Sequence, residues 1–284
     1  MPAPSVRAFS LLLGASLLSP AACRREAPAL PNLRVAAAAD LAFALPEVAR
    51  LYEADTGRHV DLIFGSTGLL ARQLAEGAPF DLFAAADEAF ADQAAKSGAC
   101  DAASKRLYAR GRIVAWTLKG KARPASLADL ADGRFKKIAI ANPEHAPYGR
   151  AALQALGRAG VLAAVRPKLV YGENVQQALQ YARTGNADAA LVALSLALPA
   201  ADGDALPIDP ALHDPIDQAL IVCKNGQAAE AAGKLAELIG SARGRALFRR
   251  HGLLLPGEAQ DGAPASTAAP GPADGSTALD AGGR

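Results

Sequence analysis

Apolar positions along the chain fall into two alternating kinds of run. Short unbroken ones ("LRVAAAA" from Leu33, "VDLIFG", "FDLFAAA", "RIVAWTL", "KKIAIAN", "KLVYG", "DAALVAL" and "QALIVC") read as strands buried on both faces. Between them the helical period predicts helices over 41–55, 69–76, 87–97, 126–132, 149–159, 174–185, 227–239 and 242–250. In the first of these, Leu41, Leu45, Val48, Ala49 and Tyr52 share one face. Glu47, Arg50 and Glu53 face away, and Gly57 is placed to end the helix. Repeated strand–helix–strand order, with no internal sequence repeat, predicts an α/β fold with mostly parallel sheets.

The two ends depart from this pattern. "MPAPSVRAFSLLLGASLLSPAAC", residues 1–23, carries one Arg, an apolar run and small residues before Cys23, which reads as an export signal. It also fits a lipoprotein signal with Cys23 as the acylated first residue, although Pro20 stands where Leu is usual. Residues 24–31 read as a linker. Residues 257–284 are Gly, Ala, Pro, Ser and Asp with almost no bulky side chains, a composition too poor in apolar surface to offset its ordering entropy.

Composition narrows the function. Of the 284 residues 51% are hydrophobic, enough for a substantial core. Lys and Arg total 30 against 28 Asp and Glu, which gives no basic face for nucleic acid. Besides Cys23 there are Cys100 and Cys223, far apart in sequence. Spacing alone decides neither a bridge nor two free thiols. No CxxC or P-loop occurs, and His59, His213 and His251 are too scattered to hold a metal.

In parallel sheets ligands bind beyond the carboxyl ends of strands, where helices begin. Five junctions qualify: "AAAADL" with Asp40, "FGSTGLLARQL" with Ser66 and Thr67, "AAADEAF" with Asp87, "ANPEHAPYGRAAL" with Tyr148, and "YGENVQQALQYA" with Asn174. Free N–H groups, small hydroxyls and positive dipole ends suit an oxyanion. Singly, each junction is better explained by helix capping.

In order and combination, "VAAAADL", "GSTGLLARQLAEGAPFDLFAAAD", "IAIANPEHAPYGRAAL", "KLVYGENVQQAL" and "GNADAALVAL" resemble the periplasmic molybdate-binding proteins of ABC importers, over roughly residues 33–253. The resemblance implies a type II periplasmic-binding-protein fold of two α/β lobes joined by two crossing strands. Lobe one would be residues 32–112 plus 216–256, and lobe two 113–215. It implies a non-enzymatic, monomeric protein without cofactor. It would be periplasmic, or tethered through Cys23, binding molybdate or tungstate and docking on a membrane permease. It places anion contacts at Asp40, the hydroxyls of Ser66 and Thr67, and the backbone N–H groups of Tyr148 and Val175. Ala193 falls where some relatives carry a Tyr hydroxyl, so that contact is missing.

Asp40 stands where most such relatives have Ser, and a carboxylate repels a dianion in a dry site. It could cap its helix, turn aside and offer only its N–H, or hold a shared proton. The second reading is preferred, and Asp40→Ser is then expected to keep or tighten molybdate binding. Two other readings compete: the same fold with tungstate, sulfate, chromate or a small organic anion as ligand, and an exported hydrolase using Ser66, His145 and Asp40. Against the hydrolase, "FGSTG" is not the G-x-S-x-G elbow, and His145 sits in a Pro-bounded turn where loop stabilisation explains it. Arg72 and Arg150, each about a turn into a helix, read as solvated or acid-paired rather than as ligands. Trp116 and Tyr108 read as core.

Overall fold

The computed structural model describes residues 31–258. The expected export signal, Cys23, the expected linker up to residue 30 and the expected tail after Glu258 lie outside the described residues. Glu258, assigned by sequence to the tail, is part of the fold: its carboxylate accepts from Leu255 N–H at 2.8 Å and pairs with Arg249.

The first half of the chain runs β1 (Leu33–Ala38), α1 (Ala44–Thr56), β2 (Val60–Gly65), α2 (Thr67–Ala75), β3 (Leu82–Ala85), α3 (Glu88–Lys96), β4 (Arg106–Gly111) and β5 (Ile113–Leu118). It continues with β6 (Ile138–Ala141), α4 (Pro147–Arg158), α5 (Leu162–Val165), β7 (Leu169–Gly172) and α6 (Val175–Arg183). Then come β8 (Ala189–Ala193), α7 (Leu194–Ala197), β9 (Gly203–Pro207), β10 (Ile216–Val222), α8 (Ala229–Gly240) and α9 (Ala242–Arg250).

These strands form two five-stranded sheets, ordered β2-β1-β3-β10-β4 and β7-β6-β8-β5-β9. Each centres on a strand flanked by two parallel neighbours, β1 in one and β6 in the other. The next strand in each is antiparallel and has just arrived from the other sheet, β10 in the first and β5 in the second. The chain changes sheets at Arg112, between β4 and β5, and again between β9 and β10. The arrangement is a type II periplasmic-binding-protein fold, two α/β lobes joined at a two-strand hinge.

The expectation of mostly parallel sheets needs correction. Four of the eight strand pairings are antiparallel, because each hinge strand enters against the direction of the sheet it joins. Two strands were also not legible. β4 and β9 are the edges of their sheets and half-exposed, so neither carries the unbroken apolar run of a central strand. The helix expected over 126–132 is a 3-10 turn, Leu127–Ala131.

Burial follows the apolar pattern closely. On the first sheet, Val35 and Ala37 pack with Leu45, Val48, Leu235 and Phe248 beneath α1, α8 and α9. Ala36 and Phe83 pack with Leu70 and Leu74 on the opposite face. A sheet covered on both sides explains why its central strands lack polar alternation. Trp116, Phe135, Ile138 and Ile140 are wholly buried in the second lobe. Gly57 ends α1 at φ +67°, a left-handed position glycine adopts without strain.

Cys100 and Cys223 form a disulfide. Their backbones pair as an isolated antiparallel bridge just beyond the end of β10.

Candidate functional site

A small cavity lies between the lobes. Its walls come from five junctions, all at carboxyl ends of parallel strands. Ala39 and Asp40 follow β1, Ser66 and Thr67 follow β2, and Ala86 follows β3. Pro147 and Tyr148 follow β6, while Asn174 and Val175 follow β7. Asp40, Ser66, Thr67, Tyr148 and Val175, singled out from sequence, thus line a single space. Among the described residues, no Lys or Arg lines it.

Local sequence explains why these helices start here. Pro147 occupies the first turn of α4, where its missing N–H costs nothing. Asn174 caps α6, accepting from Gln177 N–H at 3.0 Å. Tyr148 and Val175 therefore sit in first turns, whose N–H groups find no carbonyl inside their own helix. Gly149 is required beside them, since a Cβ there would lie 2.1 Å from the Ala141 carbonyl oxygen.

The two hydroxyls differ. Ala86 N–H donates to Thr67 Oγ1 at 3.3 Å, so the Thr67 proton is available to a ligand. Ser66 Oγ lies 2.8 Å from the His145 carbonyl oxygen and 2.7 Å from His145 Nδ1. The carbonyl can only accept, and the role of the ring nitrogen is set by its tautomer. The Ser66 hydroxyl, in the cavity wall, thus also bonds across to the turn before α4 in lobe two. Gly68 N–H adds a third bond, 2.9 Å to the same carbonyl.

Asp40 is not a helix cap. It lies within a 3-10 turn, Ala39–Leu41, ahead of α1, and its side chain makes no capping bond. The carboxylate instead turns into a buried cluster beneath the cavity. It is almost fully buried, and Oδ2 accepts from Tyr148 Oη at 2.9 Å and Gln218 Nε2 at 2.6 Å. Ser195 Oγ donates to the Asp40 carbonyl at 2.8 Å. Burial pushes the Asp40 carboxyl up to about 6, while hydrogen bonds from Gln218, Tyr148 and its own N–H pull the other way. Burial and the Asp40 charge together raise the Tyr148 phenol well above its ordinary value. Gln218 was missed from sequence. Its signal was a polar side chain at a fully buried position in the apolar strand "IDQALIV".

At the mouth, Arg150 of α4 pairs with Asp87 of the opposite lobe and stacks its guanidinium 5.2 Å from the Phe90 ring centroid. Arg72 is exposed. Ala193 is buried at the end of β8 and does not line the cavity. Among the described residues no cluster of His, Cys, Asp and Glu could hold a metal ion.

Two lobes on a two-strand hinge, enclosing a small cavity walled by helix starts, define a class of protein that captures a solute between its lobes. The profile of the bacterial extracellular solute-binding proteins matches residues 33–254, and the chain belongs to that family. It is 35% identical over 253 residues to the molybdate-binding protein ModA of Azotobacter vinelandii, covering 87% of this chain and 97% of that protein. It is 31% identical over 220 residues to the molybdate-binding protein ModA of Rhodobacter capsulatus, covering 76% and 86%. The solved structure of the Azotobacter vinelandii periplasmic molybdate-binding protein superposes with a TM-score of 0.73 at 29% identity, over 79% of this chain and all (100%) of that one. The sulfate-binding protein of Mycobacterium tuberculosis shares the fold, with a TM-score of 0.70 at 15% identity over 80% of this chain and 87% of that one.

Proposed function

We propose that this protein captures molybdate, and with it tungstate, in the interlobe cavity and delivers it to the membrane permease of an ABC importer. The observation that carries this reading is the convergence of three helix N-termini, α2, α4 and α6, from both lobes on one cavity that, among the described residues, no Lys or Arg lines. Uncharged donors fixed by backbone geometry suit a fully deprotonated tetrahedral anion, because they offer it no acceptor for a proton. The proposed contacts are the N–H groups of Tyr148 and Val175, the Thr67 hydroxyl, and the backbone at Ser66 and Asp40. Contacts from both lobes would hold the clamshell shut, with lobe one at 32–112 plus 216–256 and lobe two at 113–215. The molybdate-binding names of the relatives support the choice of anion. The Cys100–Cys223 disulfide supports an oxidising, extracytoplasmic location.

Thermal unfolding with a panel of oxyanions tests the reading. A ligand at about a hundredfold its Kd adds about 2.7 kcal/mol. For a chain of this size that raises Tm by about 5–10 °C. Molybdate and tungstate are expected to do so, and sulfate and phosphate to leave Tm unchanged. A shift with sulfate alone, or with none of the four, would refute the assignment.

A further inference from the structure

We infer that capture of a tetrahedral dianion in this cavity takes up one proton, on Asp40, so that anion binding and proton binding are coupled at a single site. The inference rests on the oxyanion reading above and adds the regulation of that site.

The cluster beneath the cavity is one hydrogen short. It joins three parts of the molecule: Asp40 from lobe one, Tyr148 from lobe two, and Gln218 from hinge strand β10. Tyr148 Oη donates to Asp40 Oδ2. Gln218 Nε2 donates to that same oxygen and, at 3.2 Å, to Tyr148 Oη. These bonds use every polar hydrogen the three side chains own when Asp40 is ionised. Two acceptors are left over, Asp40 Oδ1 and Gln218 Oε1, both buried and without a partner. A proton on Asp40 Oδ1 supplies a donor where the cluster has only surplus acceptors.

Charge argues the same way. The groups facing Asp40 are Tyr108 from β4, Tyr148 from α4, Gln218 from β10 and Ser195 from α7, all neutral. Arg112, at the first sheet change, faces Tyr148 and donates its Nε to the Gly252 carbonyl at 2.9 Å. No ion pair reaches Asp40 among the described residues. With burial already holding its carboxyl near 6, a dianion in the same cavity pushes it further up by like-charge repulsion. The empty site at neutral pH is then mostly carboxylate and the loaded site carboxylic acid. An O–H bond forms at Asp40, the proton comes from solvent, and nothing is oxidised or reduced.

The sign follows. A group that gains protons on binding makes affinity fall as pH rises, here from about 6 up to the raised value of the loaded site. Calorimetry with molybdate tests it, using wild type and Asp40→Asn at pH 7.5 in two buffers of different ionisation enthalpy, and then across about pH 6–8.5. Asparagine keeps an oxygen for Tyr148 and Gln218, carries its own donor and cannot titrate. Wild type is expected to take up close to one proton per anion and to lose up to about tenfold in affinity per pH unit. The variant should take up none and give a flat profile. Wild-type binding without buffer dependence would overturn the coupling and leave the oxyanion reading standing. Failure of wild type to bind any oxyanion would overturn both. If Asp40→Asn does not fold, the wild-type buffer pair decides alone.

Discussion

Gly68→Ala is expected to leave lobe one folded and to weaken molybdate binding about 100-fold. Gly68 is the second residue of α2, and alanine there is a better helix former than glycine. Nothing inside lobe one opposes the change. The obstacle is in lobe two: a Cβ on Gly68 would lie 2.9 Å from His145 Cβ, 2.9 Å from its carbonyl oxygen and 3.0 Å from its Cα. Two of those atoms are backbone, held in the turn before α4, so they cannot swing away like the end of a side chain. The lobes must part instead. Parting breaks the Gly68 N–H bond and both Ser66 hydroxyl contacts with His145. Three bonds at about 1 kcal/mol each give about 3 kcal/mol. That corresponds to roughly two decades in Kd. Calorimetry would read the affinity and small-angle scattering the openness of the clamshell. A variant as tight and as closed as wild type would show that the Gly68–His145 approach does not govern closure.

What the sequence revealed and what it hid divide along the same interlobe boundary. Elements that bury a continuous apolar run were legible, because burial on both faces leaves a local signature: β1, β3, β6 and β8 are examples. The helix starts around the cavity were legible for a related reason, since Pro147 and Asn174 mark them by chain-local chemistry, whereas the contact residues themselves came from the family resemblance. The destinations of side chains were not. Ser66 reads as a free hydroxyl until the carbonyl of His145, 79 residues away, is seen to accept its hydrogen bond. Asp40 reads as an anomaly in an anion site until Tyr148 and Gln218, separated from it by 108 and 178 residues, are seen to bind it. Edge strands β4 and β9 escaped because half-exposed strands carry little hydrophobic pattern. The cysteine pair escaped because a bridge is a statement about distance in space.

Replacing both Cys100 and Cys223 by alanine is expected to cost about 2–5 kcal/mol of stability. The pair spans 123 residues, and that span contains every strand from β4 to β10, including the whole of the second sheet. The bridge therefore closes a ring through which lobe two is inserted into lobe one. In the unfolded chain so long a loop removes much conformational freedom, and its loss raises the entropy that folding must overcome. Both residues are buried to 1% exposure, beside backbone bonds from Asp101 N–H to Val222 O and Lys224 N–H to Ala99 O, each 2.8 Å. Those bonds remain in the double variant, so the folded geometry survives while the unfolded state gains freedom. Tm should fall by about 5–15 °C. Molybdate affinity in the folded variant should stay within about threefold of wild type, since neither cysteine lines the cavity. Urea unfolding, with wild type in oxidised and reduced forms alongside the variant, separates the bridge from the loss of two buried sulfurs. If reduced wild type unfolds at the same midpoint as oxidised, the bridge contributes nothing to stability, and the ring closed around lobe two is of no thermodynamic consequence.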